Sequence, residues 1–220
     1  MRFENSIAKR LAGKHKANLK MIDFRDKKIL DIGCGIGIFE KWASRKARRI
    51  LAIDINKKDL EIARKEVKDK NIKFEYGSIF DKNFNKKFDI ITLFDVIEHF
   101  PEEKEIEALN KIHNILEKGG KLLVSSPCSN FSMFFDIAWY FGHRHYTKKR
   151  LYDILDKTGF KIEKIYKRGG FYEILSMMLF YPFKWFLNLE VPFKKFLDTK
   201  RDKEYEKDGF VTWFVIAVKK

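Results

Sequence analysis

Cysteine is nearly missing from this 220-residue chain, which has only Cys34 and Cys128. Two cysteines make neither a disulfide framework nor a Cys-rich zinc module, and they suit a reducing compartment. The opening MRFENSIAKRL lacks the apolar core of a secretory leader. A membrane-length apolar run is missing too. The most apolar stretch, Ile174 to Phe183, is bounded by Glu173 and Lys184 and carries Pro182. It falls well short of the roughly 18–20 residues that span a bilayer. A cytoplasmic protein is expected. There is no internal repeat and no low-complexity segment.

Negative charge is also in deficit. Lys and Arg total 46 against 31 Asp and Glu, a net +15. Such a balance suits an anionic partner: nucleic acid, an anionic membrane surface or a phosphorylated substrate. The lysines are scattered along the chain, however, a usage also common in thermophile proteins. Disorder is excluded by an aromatic content of 15%, with 22 phenylalanines.

What is present is a rhythm of short apolar runs and helical segments. Residues 1–27 read as a basic helical extension with a loop at Asp23–Lys27. Strands are expected at Lys28–Ile32, Ile50–Ile55, Ile72–Tyr76, Phe88–Phe94 and Lys121–Ser125. Helices are expected between them, at Gly37–Arg48, Lys57–Lys70 and Pro101–Leu116. The last opens with Pro-Glu-Glu and closes at Lys118-Gly119-Gly120, a helix-end signal. A helix at Thr147–Thr158 and strands at Phe160–Tyr166 and Phe210–Val218 complete seven strands. Nearly continuous apolar strands alternating with helices predict an α/β fold, a parallel sheet covered on both faces. Two aromatic stretches, Phe131–Tyr146 and Phe171–Leu189, interrupt the rhythm after late strands.

The glycine turn carries the most information. Ile29-Leu30-Asp31-Ile32-Gly33-Cys34-Gly35-Ile36-Gly37 runs from a strand through a glycine-rich turn into a helix. A dinucleotide site wants G-x-G-x-x-G. Here the spacing is G-x-G-x-G, with Ile38 where the third glycine would stand and Asp31 two residues before the first. An acid there disfavours a pyrophosphate and favours a cation such as the amine of a methionine moiety. Asp54 ends the second strand, where a carboxylate can accept hydrogen bonds from both ribose hydroxyls of an adenosine. Asn56 can cap the following helix, which leaves Asp54 free for the ribose. Ile55 can cover one face of the adenine. Cys34 reads as a small spacer and not as a nucleophile, since nothing basic adjoins it in sequence.

With these residues the chain resembles the class I S-adenosylmethionine-dependent methyltransferases, from about Lys28 to Lys220. ILDIGCGIG is similar to their first motif, AIDIN to the acid-bearing second strand, FDIITLFDVIEHF to the fourth-strand motif and LEKGGKLLVSSP to the fifth. The resemblance implies a doubly wound, Rossmann-like, seven-stranded sheet in the order 3-2-1-4-5-7-6 with strand seven antiparallel. It implies a methyltransferase domain over 28–220 with lid insertions at 129–146 and 171–208. It implies S-adenosylmethionine bound by Asp31, Gly33, Cys34, Gly35, Gly37, Asp54, Ile55, Ser78, Ile79 and Phe94. Many members carry an acid after the third-strand glycine; here Gly77 is followed by Ser78 and Ile79, with Asp81 as a substitute.

The acceptor side begins at Asp95-Val96-Ile97-Glu98-His99, after the fourth strand. A second polar cluster is Gly142-His143-Arg144-His145-Tyr146-Thr147. Carboxylates with imidazoles make either a base network or a divalent-cation site. The pattern is similar to the E-x-x-E-H metal site of ubiquinone-pathway O-methyltransferases and of small-RNA 3′-end ribose methyltransferases. Carried over, it implies Asp95, Glu98, His99 and His143 or His145 as ligands, with Asp95 standing where the pattern has Glu. In the metal-free reading His99 acts at the acceptor, with Glu98 and one of His143 or His145 completing the polar cluster, His145 being its catalytic member. The aromatic stretches and the basic residues after them favour a small or lipid-like acceptor with an oxygen or carbon nucleophile, delivered from or near an anionic membrane. Two other readings are a metal-assisted RNA ribose 2′-O-methyltransferase and a non-catalytic adenosyl-binding protein.

Overall fold

In a computed structural model of the chain, the structure describes residues 11–140, 142–181, 183, 191 and 193–220. The elements in chain order are α1 (Gly13–Leu19), β1 (Lys28–Ile32), α2 (Ile38–Ala43), β2 (Arg49–Asp54), α3 (Lys57–Glu66), β3 (Ile72–Tyr76), β4 (Phe88–Phe94), α4 (Glu105–Ile115), β5 (Leu116–Pro127), α5 (Ile137–Tyr140), α6 (Lys148–Lys157), β6 (Phe160–Arg168), α7 (Phe171–Tyr181), α8 (Lys194–Glu204) and β7 (Thr212–Lys219). Short 3-10 turns lie at Ile97–His99, Glu102–Lys104 and Phe131–Phe135.

The seven strands form one sheet in the order β3-β2-β1-β4-β5-β7-β6. β1 to β5 run parallel, and β7 is antiparallel to both β5 and β6. The apolar strands are continuous because each feeds two cores. Leu30, Ile53, Ile91 and Leu122 face α4 and α6, packing with Leu109, Ile112 and Leu155. Their neighbours Ile29, Ala52, Ile90 and Leu123 face the other way, with Ala17 of α1, Phe39 of α2 and Leu60 of α3. Alternating side chains thus fill both faces, as a doubly covered sheet requires.

Several expected element ends shift, among them α3, which stops at Glu66 and not at Lys70. The helix after the glycine turn stops at Ala43, because the Asn71 side chain donates to the carbonyls of Ser44 and Ala47 at 2.9 Å each and draws the chain out of the helix. The glycines at 119 and 120 lie within β5: Leu116 already pairs with Phe88, the intervening residues bulge, and pairing resumes at Ile90 with Lys121. The helix therefore ends at Ile115, one residue before the expected Leu116.

The basic extension and the late insertion meet. α1 packs on α8, where the Gly13 N–H donates to the Asp202 carboxylate at 2.7 Å. A side chain at residue 13 would come within 2.5 Å of the Asp202 backbone, so this close approach requires glycine. Residues 1–10 of the extension, and Pro182, Lys184–Leu189 of the second aromatic stretch, lie outside the described residues. Among the described residues no helix is long and apolar enough to cross a membrane.

Candidate active site

The carboxyl ends of β1, β2 and β4 converge on the glycine turn. Gly33 and Cys34 donate to the Ile53 carbonyl at 2.8 and 3.1 Å, which fastens the turn to β2. Gly33 has φ +78°, and a Cβ there would fall 2.3 Å from a Val96 methyl, so conformation and space both demand glycine. Asp54 organises the far side: its carboxylate accepts from the Gly35 N–H at 2.7 Å and the Asn56 N–H at 2.8 Å. Asn56 caps α3 with its own side chain, accepting from Lys58 and Asp59. The Asp54 carboxylate keeps lone pairs for two hydroxyls. Ile55 beside it is 70% exposed, an uncovered apolar surface beyond the end of β2. Ser78, just past β3, accepts from the Phe80 N–H through its hydroxyl, and Ile79 is buried.

Asp31 is buried, and the Thr92 hydroxyl donates to its carboxylate. Burial pushes its pKa up to about 6. Glu40, one turn into α2 and fully buried, is pushed well above the ordinary range by burial and then by Asp31. The pair thus holds at most one negative charge near neutrality, close to the place where a cationic methionine amine is expected. The Cys34 thiol is pushed up strongly by burial and the surrounding acids, which keeps it a neutral spacer.

A cavity of about 350 Å³ opens in front of this turn, bordered by Asp31, Gly33, Gly35, Phe94 and Asp95 on the sheet side. Phe94 meets Phe39 edge-on at 5.1 Å. The opposite wall is α1, through Lys14, His15 and Asn18. The Lys14 ammonium lies 2.8 Å from the Asp95 carboxylate. Burial alone would lower the Lys14 pKa; Asp95, Tyr205 and Glu173 outweigh it and raise it. His15 Nδ1 and Asn18 Oδ1 are buried without a protein partner among the described residues. Sequence reasoning missed this wall, because KHKANL shows only a short basic helix; the polar face it turns to the glycine loop becomes visible when α8 fixes its orientation.

The acceptor side follows β4. Asp95 adopts a left-handed backbone, φ +58°, and the chain turns into the 3-10 segment Ile97–His99. The Ile97 carbonyl is gripped by Arg144 at 2.9 Å and by the Tyr146 hydroxyl at 3.1 Å. Both gripping residues also reach the buried Glu105, which holds Arg150 at 2.7 Å. Glu98 is buried with one oxygen taking a hydrogen bond from Ser126 at 3.1 Å and the other without a partner. Burial, then Asp95, pushes its pKa up to about 8. His99 faces outward, and burial followed by His143 pushes its pKa down. Its Nε2 lies 3.2 Å from His143 Nε2.

Of the residues expected at the acceptor, Glu98, His99 and His143 come together, with potential ligand atoms within 4.8 Å of one another. Asp95 stands apart from them: its carboxylate is committed to Lys14 and faces the cavity in front of the glycine turn. The partnerless Glu98 oxygen suits a cation, so Glu98, His99 and His143 are the residues that would hold one there. His145 does not touch His99. Its ring lies behind His143, against Asp136 and the Cys128 carbonyl. Asp136, unremarked in the sequence, stands in the middle of this histidine cluster.

A family model described as a methyltransferase domain matches residues 4–165. The chain is 30% identical over 108 residues to the ubiquinone biosynthesis O-methyltransferase of Actinobacillus pleuropneumoniae, an alignment covering 46% of this chain and 45% of that protein. The chain therefore spans about half the length of the curated relatives it matches. By structure it is similar to an S-adenosylmethionine-dependent methyltransferase from Listeria monocytogenes, with TM-score 0.66 and 16% identity over 94% of this chain and 98% of that one. A second, from Mesorhizobium loti, has TM-score 0.65 and 18% identity over 93% and 96%.

Proposed function

Because the chain belongs to the methyltransferase-domain family, the class I S-adenosylmethionine-dependent enzymes, we propose that it moves a methyl group to an oxygen of a small, apolar or lipid-like acceptor. The observation that carries this reading is the surface around the histidine cluster. Among the described residues, eight of the twelve exposed large apolar side chains lie in the two insertions, among them Phe131, Phe134, Tyr140, Phe171 and Phe196. Soluble surfaces scatter such residues; grouping them beside an active site suits an apolar ligand or a lipid surface.

The chemistry follows from placement. Methyl transfer from a sulfonium is an in-line displacement, so the protein must align the nucleophile, exclude water and take up a proton. Asp54 and the glycine turn hold the adenosine; Asp31 and the α1 wall hold the methionine end. His99, kept neutral by its lowered pKa, takes the proton of an acceptor hydroxyl. The relatives named for ubiquinone biosynthesis O-methylation support oxygen as the nucleophile. An RNA acceptor is less well served. The cations nearest His99, Arg144 and Arg150, are tied to Glu105, while the basic cavity lined by Lys28, Arg48, Arg49 and Lys87 lies at the amino ends of the strands.

The test is transfer from methyl-labelled S-adenosylmethionine to fractionated cell extract. Label is expected in the organic phase, in a species whose mass rises by one methyl and whose labelled position is an ether. Label confined to nucleic acid would overturn the reading.

A further inference from the structure

We infer that Asp136, His143 and His145 form a binding site for one divalent transition-metal ion of the zinc class, set behind the acceptor face and separate from Glu98 and His99. The three side chains come from a loop closed at its base, where Cys128 and Tyr146 form a bridge and the Ser129 N–H donates to the Tyr146 carbonyl at 2.8 Å. Asp136 Oδ2 lies 3.1 Å from His145 Nε2 and 3.6 Å from His143 Nδ1. All three potential ligand atoms fall within 4.8 Å of one another. Zinc bonds of about 2.0–2.2 Å to N and O place tetrahedral ligand atoms about 3.3–3.5 Å apart, and the two measured spacings bracket that value.

The hydrogen-bond arithmetic points the same way. His145 Nδ1 lies 3.0 Å from the Cys128 carbonyl, which can only accept, so this nitrogen carries the proton. Nε2 of a neutral ring is then a lone pair aimed at Asp136. The buried Nδ1 of His143 is left at 3.6 Å from Asp136, beyond hydrogen-bond length, and has no other partner among the described residues. A cation between the three gives both ring nitrogens a partner. His145 binds through Nε2 with Nδ1–H held by a backbone carbonyl, the usual outer-shell support of a ligating histidine. His143 binds through Nδ1, with its Nε2 3.2 Å from His99 Nε2. The ligand set, two imidazoles and one carboxylate, suits zinc, iron or nickel better than magnesium or calcium. A cavity of about 400 Å³ borders His143 and His145, leaving space for a water as fourth ligand.

This assignment does not depend on the acceptor, and its test reads metal and not turnover. Full-length protein is stripped with chelator, dialysed and titrated with cobalt(II), whose visible absorption reports coordination by nitrogen and oxygen. One cobalt per chain is expected, displaced by zinc. Asp136→Asn and His145→Gln should each weaken cobalt by more than the roughly 10–100-fold that loss of an outer-shell partner costs. Glu98→Gln should leave the stoichiometry and affinity nearly unchanged, and His99→Gln, which alters only a neighbour of His143, should keep the stoichiometry and weaken affinity by no more than that roughly 10–100-fold. If the stripped wild type takes up no cobalt, the inference fails whatever the variants do. If His99→Gln abolishes uptake while Asp136→Asn does not, the ion belongs to Glu98, His99 and His143, and the inference is equally overturned. Melting curves of each stripped variant separate loss of a ligand from loss of the fold.

Discussion

The two halves of the carboxyl edge are built in opposite ways. On the cofactor side, strand ends and backbone amides do the work: Gly33, Cys34 and Gly35 bond to β2 within 21 residues of chain, through Ile53 and Asp54. On the acceptor side, side chains from distant segments converge. Glu98 meets Ser126, His99 meets His143, and Arg144 reaches both Ile97 and Glu105. The difference teaches where each half is vulnerable. A local backbone turn tolerates loss of one distant contact, whereas a side-chain assembly fails when its central ion pair is cut.

The widest separation between the halves should come from His99→Ala. If His99 is the proton acceptor, turnover falls by about 10²–10⁴-fold while adenosylhomocysteine affinity measured by calorimetry stays nearly unchanged. A parallel fall in cofactor affinity would erase the distinction. Next in size is Glu105→Ala. It deprives Arg144 and Arg150 of the fully buried carboxylate that binds them; both arginines are partly exposed, so the cost is on the scale of charged hydrogen bonds, about 1.5–3 kcal/mol. Urea unfolding should show that loss. The complementary cut on the cofactor side, Asp54→Ala, should weaken adenosylhomocysteine binding by roughly 1.5–3 kcal/mol, the scale of charge-assisted hydrogen bonds, with a smaller change in unfolding free energy.

The smallest effect is a pH dependence set by Asp31 on the glycine-turn side. Its pKa rises from the ordinary 3.8 to about 6 on folding. Between these values the folded chain holds a proton the unfolded chain has lost. Asp31 therefore contributes stability below about pH 4 that is lost as pH rises through about 6. Cofactor affinity should move oppositely, improving over that window as the carboxylate gains charge to meet the methionine amine. Asp31→Asn should flatten both trends relative to wild type. If wild type and variant track each other from pH 4 to 7 in thermal melts and in binding, the buried acid pair has no such role.

How much of this was legible in advance follows from the range of the interactions. The strand sequence and the placing of Asp31, the glycines, Asp54 and Phe94 at one rim were readable, because a strand-turn-helix unit is encoded by neighbouring residues; the sheet order followed from the family resemblance. Apolar runs of five to seven residues mark strands covered on both faces, and G-x-G-x-G marks a turn that only glycines can make. What stayed hidden had no local signature. The α1 wall of the cofactor cavity depends on Gly13 meeting Asp202, 189 residues away. Asp95 and Glu98 share one motif, yet a left-handed backbone and Lys14 turn Asp95 to the cavity in front of the glycine turn.

The same division holds for the histidines. By itself the sequence placed His99, His143 and His145 at the carboxyl rim of the sheet, since they follow the ends of β4 and β5. Only the tertiary structure decided that His143 touches His99, that His145 stands behind it, and that Asp136 joins them. The reason is physical. Backbone hydrogen bonding sets where a loop starts and ends, but the direction of a ring within it is set by packing and polar satisfaction against residues tens of positions away.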